Sequence, residues 1–224
     1  VVRADRPTPV HVPPHPVLVH VHTRYASHTG AGEACWLEVR ECCTGGTLFD
    51  ALPLFDGPIK VPSPPLGEPK RLIPDEPLER HIVQAMRWFR ELLSAVAHCH
   101  SHNLCCGQIR IEHLLLTGDG ALKLLGDWRP ATEDAEPVRL RLPWAPTDAP
   151  ELRGRVCATG AECCAADVYS MSALVSLLGG DVPGEGSFFP APVRSLLAEM
   201  AAADPAARPT ASNVCGKLCP LGAP

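Results

Sequence analysis

Proline constrains this chain more than any other residue. Twenty-five of its 224 residues are Pro, gathered in three stretches: Arg6 to Pro16, Pro53 to Pro77 and Pro137 to Pro150. A residue with a fixed φ and no amide proton resists both helix interiors and central strands, so these stretches are loops and linkers. The core has to come from what lies between them, and a hydrophobic content of 46% can supply one. Between the first two stretches, Pro16 to Tyr25 alternates Val17, Val19 and Val21 against Leu18, His20 and His22. Ala34 to Cys42 alternates as well, and Gly30-Ala31-Gly32 suits the turn between them. That is a β-hairpin pattern.

Beyond the second proline stretch the apolar spacing changes to three and four. Leu78, Ile82, Met86, Phe89, Leu93 and Val96 line one face of a long helix. It is predicted from about Asp75, a good N-cap, through Pro77 in the first turn to about His100. Leu114 to Leu125 has the pattern of a second hairpin, with Gly118-Asp119-Gly120 as its turn. Further helices are predicted from about Ala166 to Leu178, ended by Gly179-Gly180, from Pro192 to Met200, and from near Thr210 until Pro220 cuts it short. Strands first and helices after make an α+β class.

A net charge of -5 argues against a general affinity for nucleic acid or anionic membrane. No stretch approaches the ~20 uninterrupted apolar residues of a membrane span. Val1 is not an initiator Met and no basic-then-apolar leader follows it, so the chain is expected to be part of something longer. Eleven cysteines, an odd number, cannot all pair within the chain. The adjacent pairs Cys42-Cys43, Cys105-Cys106 and Cys163-Cys164 do not resemble a secreted disulfide framework, and no Cys-x-x-Cys knuckle is present to hold zinc. Reduced, mostly buried thiols in a cytoplasmic protein are expected. His98, His100 and His102 beside Cys99, Cys105 and Cys106 invite a metal reading. Alternate helical residues point about 200° apart, however, which favours solvated or capping histidines at a helix C-terminus.

Six segments, in order and over most of residues 35–215, resemble the protein-kinase family. Glu41-Cys42-Cys43-Thr44-Gly45-Gly46-Thr47-Leu48 is similar to the kinase hinge, Glu-x-x-x-Gly-Gly-x-Leu, which leads into a short helix. Cys106-Gly107-Gln108-Ile109-Arg110-Ile111-Glu112-His113, followed by Leu114-Leu115-Leu116, resembles the catalytic loop His-Arg-Asp-Leu-Lys-x-Glu-Asn-Leu-Leu-Leu. Leu122 to Trp128 resembles the strand entering the metal-binding Asp-Phe-Gly motif. Ala149-Pro150-Glu151 matches the motif that closes the activation segment. Asp167-Val168-Tyr169-Ser170 resembles the start of the central large-lobe helix, and Asp204 to Thr210 fits Asp-Pro-x-x-Arg-Pro-Thr. The resemblance implies a kinase-like fold with a partial small lobe of strands (1–43), a hinge and short helix (44–52), a Pro-rich insert (53–77) and a helical large lobe (78–224). It also implies that Glu151 pairs with Arg208, and that Asp167 accepts hydrogen bonds from the catalytic-loop backbone. The bland alternatives are a surface Glu, an ordinary Arg-Pro turn and a helix N-cap Asp.

The same resemblance implies that the chemistry is missing. Phosphoryl transfer needs a carboxylate to orient the attacking hydroxyl and metal ions to neutralise charge. Gln108 stands where that Asp would be and cannot take a proton. His113 replaces the metal-binding Asn, and imidazole suits magnesium poorly. Gly126 aligns with the metal-binding Asp; Asp127 lies one place later and could serve only in a shifted frame. Arg110 keeps the charge of the family's Lys. Gly107 replaces the Arg that receives a loop phosphate, and the hydroxyls between Trp128 and Ala149 are Thr132 and Thr147. The glycine-rich loop, the ATP-anchoring Lys and its Glu partner would precede Val1, and Lys60 and Lys70 in the Pro-rich insert cannot stand in for that Lys.

The implied function is a pseudokinase scaffold or adaptor that is not an enzyme and binds ATP and magnesium weakly or not at all. The alternatives are a weak kinase using Asp127 as metal ligand, or an allosteric activator of a true kinase. The Pro-rich insert and altered catalytic loop most resemble the PEAK and Pragmin pseudokinases, signalling scaffolds of the cytoskeleton and cell motility. That likeness implies adaptor or kinase partners and homo- or heterodimers through flanking helices, which are not evident here. Pro13-Pro14-His15-Pro16 and Pro62-Ser63-Pro64-Pro65 fit the loose Pro-x-x-Pro form bound by SH3 domains.

Overall fold

The alternating run after the first prolines forms the largest sheet. Strand β2 (Val21–His28) pairs antiparallel with β3 (Ala34–Arg40), Ala26 opposite Trp36, and β1 (Val2–Arg3) covers the other side of β3. The computed structural model describes residues 2–3, 10–28, 34–48, 78–132, 134–140, 143, 145–178 and 189–219. The Gly30-Ala31-Gly32 turn, the Asp75 cap, the short helix beyond Leu48, the Pro53 to Pro77 insert, Gly179-Gly180 and Pro220 all lie outside those residues. The first strand begins at Val21, five residues later than the alternation from Pro16 predicts. The reason is competition. Leu124 N donates to Val17 O, and Val19 N donates to Leu124 O at 3.1 Å, so Val17 and Leu18 pair with a different strand and are buried.

Helix α1 (Leu78–Ser101) buries Met86, Phe89, Leu92, Leu93, Val96 and Cys99, the three-to-four spacing predicted for its apolar face. Full burial of each large side chain stabilises the fold by about 1.5–3 kcal/mol. Asn103 (φ 55) ends the turn after it, a left-handed position that Asn tolerates better than most residues. The second hairpin is β5 (Leu114–Leu116) and β6 (Leu122–Leu124), in register Leu115 opposite Lys123. Two α1 side chains hold it: Glu91 Oε2 accepts from Leu122 N at 3.1 Å, and Trp88 Nε1 donates to Gly120 O at 3.4 Å.

Two small ladders escaped prediction. Strand β4 (Leu104–Cys105) pairs with β7 (Arg129–Pro130), and β8 (Val138–Arg139) with β9 (Cys157–Ala158). Two residues are too few to show a period.

Helix α2 (Gly160–Leu178) starts six residues before the predicted Ala166. Its cap explains the difference. Glu162 N donates to Thr159 Oγ1 at 3.3 Å and Thr159 N donates to Glu162 Oε2 at 2.8 Å, a reciprocal capping box. By length and composition α2 could cross a membrane, alone among the described helices, but it is the core helix of this fold and buries Val168, Met171, Leu174 and Val175. Helix α3 (Ala191–Met200) carries Pro192 in its first turn. The Thr210 hydroxyl caps α4 (Ala211–Leu218) by accepting from Asn213 N at 3.2 Å. Phe189, Val193, Leu197, Val214 and Leu218 close the core against α1 and α2.

Candidate functional site

The segment from Cys106 to His113 is held from below by one carboxylate. Asp167 is fully buried in α2. Its Oδ2 accepts from Cys106 N at 2.9 Å and its Oδ1 from Gly107 N at 2.7 Å. Lying inside the helix rather than at its start, Asp167 is no N-cap. Gly107 sits at φ +81, and a Cβ there would lie 2.8 Å from Cys163 Sγ. Backbone strain and close approach together require glycine, so the Arg that would receive a loop phosphate has no room. Of the two candidate hydroxyls, Thr132 is exposed and Thr147 is buried.

A second carboxylate, which the sequence did not single out, lies over the loop. Asp148 is fully buried. Arg110 Nη2 donates to its Oδ2 at 2.7 Å and Nε to its Oδ1 at 3.2 Å, a two-pronged pair with the geometry a guanidinium favours. Ala145 N donates to Asp148 Oδ2 at 2.8 Å, and Gln108 Nε2 reaches the same oxygen at 3.3 Å. Arg110 Nη2 also donates to Pro143 O at 3.1 Å. The Gln108 amide and the Arg110 cation therefore face a carboxylate of this chain.

Of the three positions expected to be degenerate, Gln108 is held by Asp148, and His113 and Gly126 are taken up by packing. The buried His113 ring takes Arg110 N on its Nδ1 at 3.4 Å. A Cβ on Gly126 would fall inside van der Waals contact with the Trp128 indole, itself buried in the core. Asp127 pairs with Arg129 at 3.2 Å. Together these residues do not fit a kinase's magnesium ions: one ligand position has no side chain and its space is filled, and another presents an engaged imidazole. Among the described residues no group of three or more His, Cys, Asp or Glu is arranged to hold a metal. A cavity of about 600 Å³ lies beside Asp127, between the Val10 to His15 segment, β2 and β6. Its charges pair within the protein: Glu38 with Arg24 at 2.9 Å and with Arg40, and Asp127 with Arg129.

At the expected hinge, Glu41 accepts from His20 N at 2.8 Å and pairs with Lys123 at 2.9 Å. Burial raises its pKa, but those partners outweigh it and hold the carboxyl below the usual range. Cys42 and Thr44 are exposed and Cys43 half-buried. Gly45 N donates to Leu116 O, and a Cβ on Gly45 would meet Thr117 O at 2.5 Å. Gly46 takes φ 78. Close approach and a left-handed backbone thus account for the Gly45-Gly46 pair.

Glu151 and Arg208 meet. Arg208 Nη1 and Nη2 donate to the two Glu151 oxygens at 2.6 and 2.8 Å. The same guanidinium donates to Ala165 O and Ala202 O and lies 5.0 Å from the Tyr169 ring centroid. One side chain ties the segment after β8 to α2 and to the turn after α3.

His102 is the exposed, capping histidine expected, with Nδ1 2.8 Å from His98 O, but His100 and His98 differ from that expectation. His100 Nε2 lies 3.1 Å from Asp167 Oδ2 with its side chain only 13% exposed. Burial lowers its pKa, but Asp167 and then Cys164 overcome this and raise it to about 10, so the ring is cationic at neutral pH. His98 stacks instead between His15 and His102 and buries its Nε2. At Cys164 the influence of Cys105 and then His100 outweighs burial and lowers the thiol pKa to about 6. The nine cysteines whose side chains are described are free; Cys99, Cys105, Cys106 and Cys163 are buried, Cys43, Cys164 and Cys215 half-buried, and Cys42 and Cys219 exposed, fewer buried than the mostly buried set expected.

This pair has a predicted pH signature. A raised His100 favours the folded state fully below about 6.5 and loses that contribution as pH rises through about 10. A lowered Cys164 favours it above about 9 and loses that contribution as pH falls through about 6. Between about 6.5 and 9 the folded chain holds one more proton on His100 and one fewer on Cys164 than the unfolded chain, and the two slopes cancel. Urea midpoints of the parent should change little from about 6.5 to about 8; above that the other buried thiols, Cys99 and Cys106 among them, whose pKa values burial raises, add their own loss of stability with rising pH. Cys164→Ser should lose stability as pH rises, by at most about 1.4 kcal/mol per pH unit. Equal slopes in the two proteins would contradict the ion pair.

No protein-family model matches this chain, and no curated protein matches it.

Proposed function

We propose that this chain is a catalytically inactive, protein-kinase-like domain that works in the cytoplasm as a signalling scaffold or adaptor. The observation that carries it is the filled groove over the Cys106 to His113 loop. Where a kinase would place a substrate hydroxyl and its carboxylate, Gln108 and Arg110 bind the buried Asp148 of the same chain. Where it would place a metal-binding Asp, Gly126 gives its space to the Trp128 indole. The Glu151–Arg208 fork and the Asp167 contacts to Cys106 N and Gly107 N support the kinase-like fold itself. Groups that pack are kept and groups that react are replaced. Adaptor proteins, kinases, SH3 domains or a second pseudokinase chain are the corresponding partners.

The test is phosphotransfer and nucleotide binding in the parent and in Gln108→Asp. Neither should phosphorylate a generic peptide with magnesium and ATP, because one restored carboxylate leaves the metal positions unfilled. Recovered activity in Gln108→Asp would overturn the reading. A magnesium-dependent thermal shift with ATP that disappears in Asp127→Ala would establish the weak-kinase alternative instead. Stimulation of a co-purifying kinase in trans would mark an allosteric activator.

A further inference from the structure

The cavity of about 600 Å³ beside Asp127 holds a charge imbalance that its ion pairs do not remove. The β2–β3 register places Arg24 directly opposite Glu38, and Arg40 follows Glu38 by two residues on the same face of β3. Both guanidiniums therefore reach one carboxylate. Arg24 Nε donates to Glu38 Oε1 at 2.9 Å, and Arg40 Nε donates to Oε2 at 2.8 Å, joined there by Arg40 Nη2. The other Lys and Arg side chains among the described lining residues each have a carboxylate of their own. Lys123 pairs with Glu41 at 2.9 Å and Arg129 with Asp127 at 3.2 Å. One carboxylate cannot neutralise two guanidiniums, so a positive charge is left over at Arg24 and Arg40 in a chain of net charge -5.

The two arginines also keep donors to spare. A guanidinium carries more N–H groups than one carboxylate can take. Arg24 Nη2 spans 3.5 Å to Val10 O, a long contact, and the Nη1 groups of Arg24 and Arg40 meet no acceptor among the described residues. Their side chains are 29% and 33% exposed, against 15% for Glu38, so an incoming group reaches the cations before the carboxylate. Burial raises the Glu38 pKa, but Arg40 and Arg24 outweigh it and hold the carboxyl below the usual range. The rest of the lining includes apolar surface from Val12, Leu18, Leu124 and Trp128.

We propose that this cavity binds a small phosphate monoester with a compact apolar body, its phosphate held by Arg24 and Arg40 without a metal ion. Guanidinium N–H groups match phosphate oxygens in pairs, and three terminal oxygens can engage both arginines while Glu38 stays in place. The apolar lining takes the ester body, and low polarity beside the cations strengthens their pull on the phosphate. The volume suits an ordinary small ligand. The proposal stands whether or not the chain is a pseudokinase, since neither arginine belongs to the Cys106 to His113 loop or contacts Asp148.

The test is isothermal titration calorimetry of the 224-residue chain at low salt with a chelator present. Phenyl phosphate is the probe, with inorganic phosphate and phenol as comparison arms. Phenyl phosphate should bind with a Kd of about 1 mM or tighter, inorganic phosphate more weakly, and phenol not measurably. Added salt should weaken binding. Arg40→Gln keeps the Arg24–Glu38 pair and should weaken phenyl phosphate about tenfold. Glu38→Gln leaves both cations and should tighten it, whereas mere damage to the sheet would weaken it in both variants. Arg87→Gln, which removes an exposed cation of α1 outside the cavity, should leave it unchanged. If Glu38→Gln unfolds the chain, the Arg40→Gln and Arg87→Gln pair still decides. No heat with phenyl phosphate at about 10 mM would overturn the proposal. So would phenol binding as well as its phosphate, or Arg40→Gln binding as tightly as the parent.

Discussion

Asp167→Ala is expected to lower the unfolding free energy by about 3–5 kcal/mol, the cost of breaking a buried, fully engaged ionic group. A domain of this size has only about 5–15 kcal/mol in total, so the variant should be largely unfolded in modest urea. The physical reason is that three groups lose their partner together: Cys106 N, Gly107 N and the His100 ring. Burial leaves no water to replace it. Asp167→Asn should fall between, because its one carbonyl oxygen can keep a loop N–H while its amide repels the cationic His100. Adding His100→Gln to Asp167→Asn removes that unpaired charge and should recover part of the loss. Urea midpoints at constant slope measure all three. A full-strength Asp167→Ala would mean that the loop is held by packing alone.

The same residue shows how far the sequence could be read. Its place in the kinase-like pattern marks Asp167 as a loop anchor, and its oxygens do accept from Cys106 N and Gly107 N. Its bond to His100 is not legible, since the two lie 67 positions apart with no periodic signal between them. Local chemistry is legible where it repeats or punctuates: the α1 stripe, the Gly118-Asp119-Gly120 turn and the start of α4 near Thr210. The start of α2 lies six residues ahead of the expected Ala166 although its signal is in the sequence, as Thr159-Gly160-Ala161-Glu162 is a capping box. The first strand was misplaced for a different reason. Val17 and Leu18 alternate like strand residues but pair with Leu124, which only tertiary structure selects. The α+β class followed from order alone. Trp128 over Gly126 and Asp148 over the loop are packing facts, invisible to spacing.

Asp148 carries the second large effect. Asp148→Ala should cost about 3 kcal/mol or more, because it leaves the Arg110 guanidinium buried without its bidentate partner. Replacing both charges, as Arg110→Met with Asp148→Leu, should cost much less than the single change, since an apolar pair of similar bulk needs no compensating charge. The double-mutant cycle in urea therefore separates charge compensation from mere filling of the groove. It also bears on function. If Asp148→Ala were as stable as the parent, Arg110 would have to be solvated in the native protein, and the groove would be open to a substrate chain. If the single change is costly and the double change mild, the groove is part of the core. Gln108 then stands against a closed wall, so restoring a carboxylate at that position has nothing to act on. The stability cycle and the phosphotransfer assay thus test one geometry by independent measurements, and a costly Asp148→Ala with an active Gln108→Asp is the combination this geometry forbids.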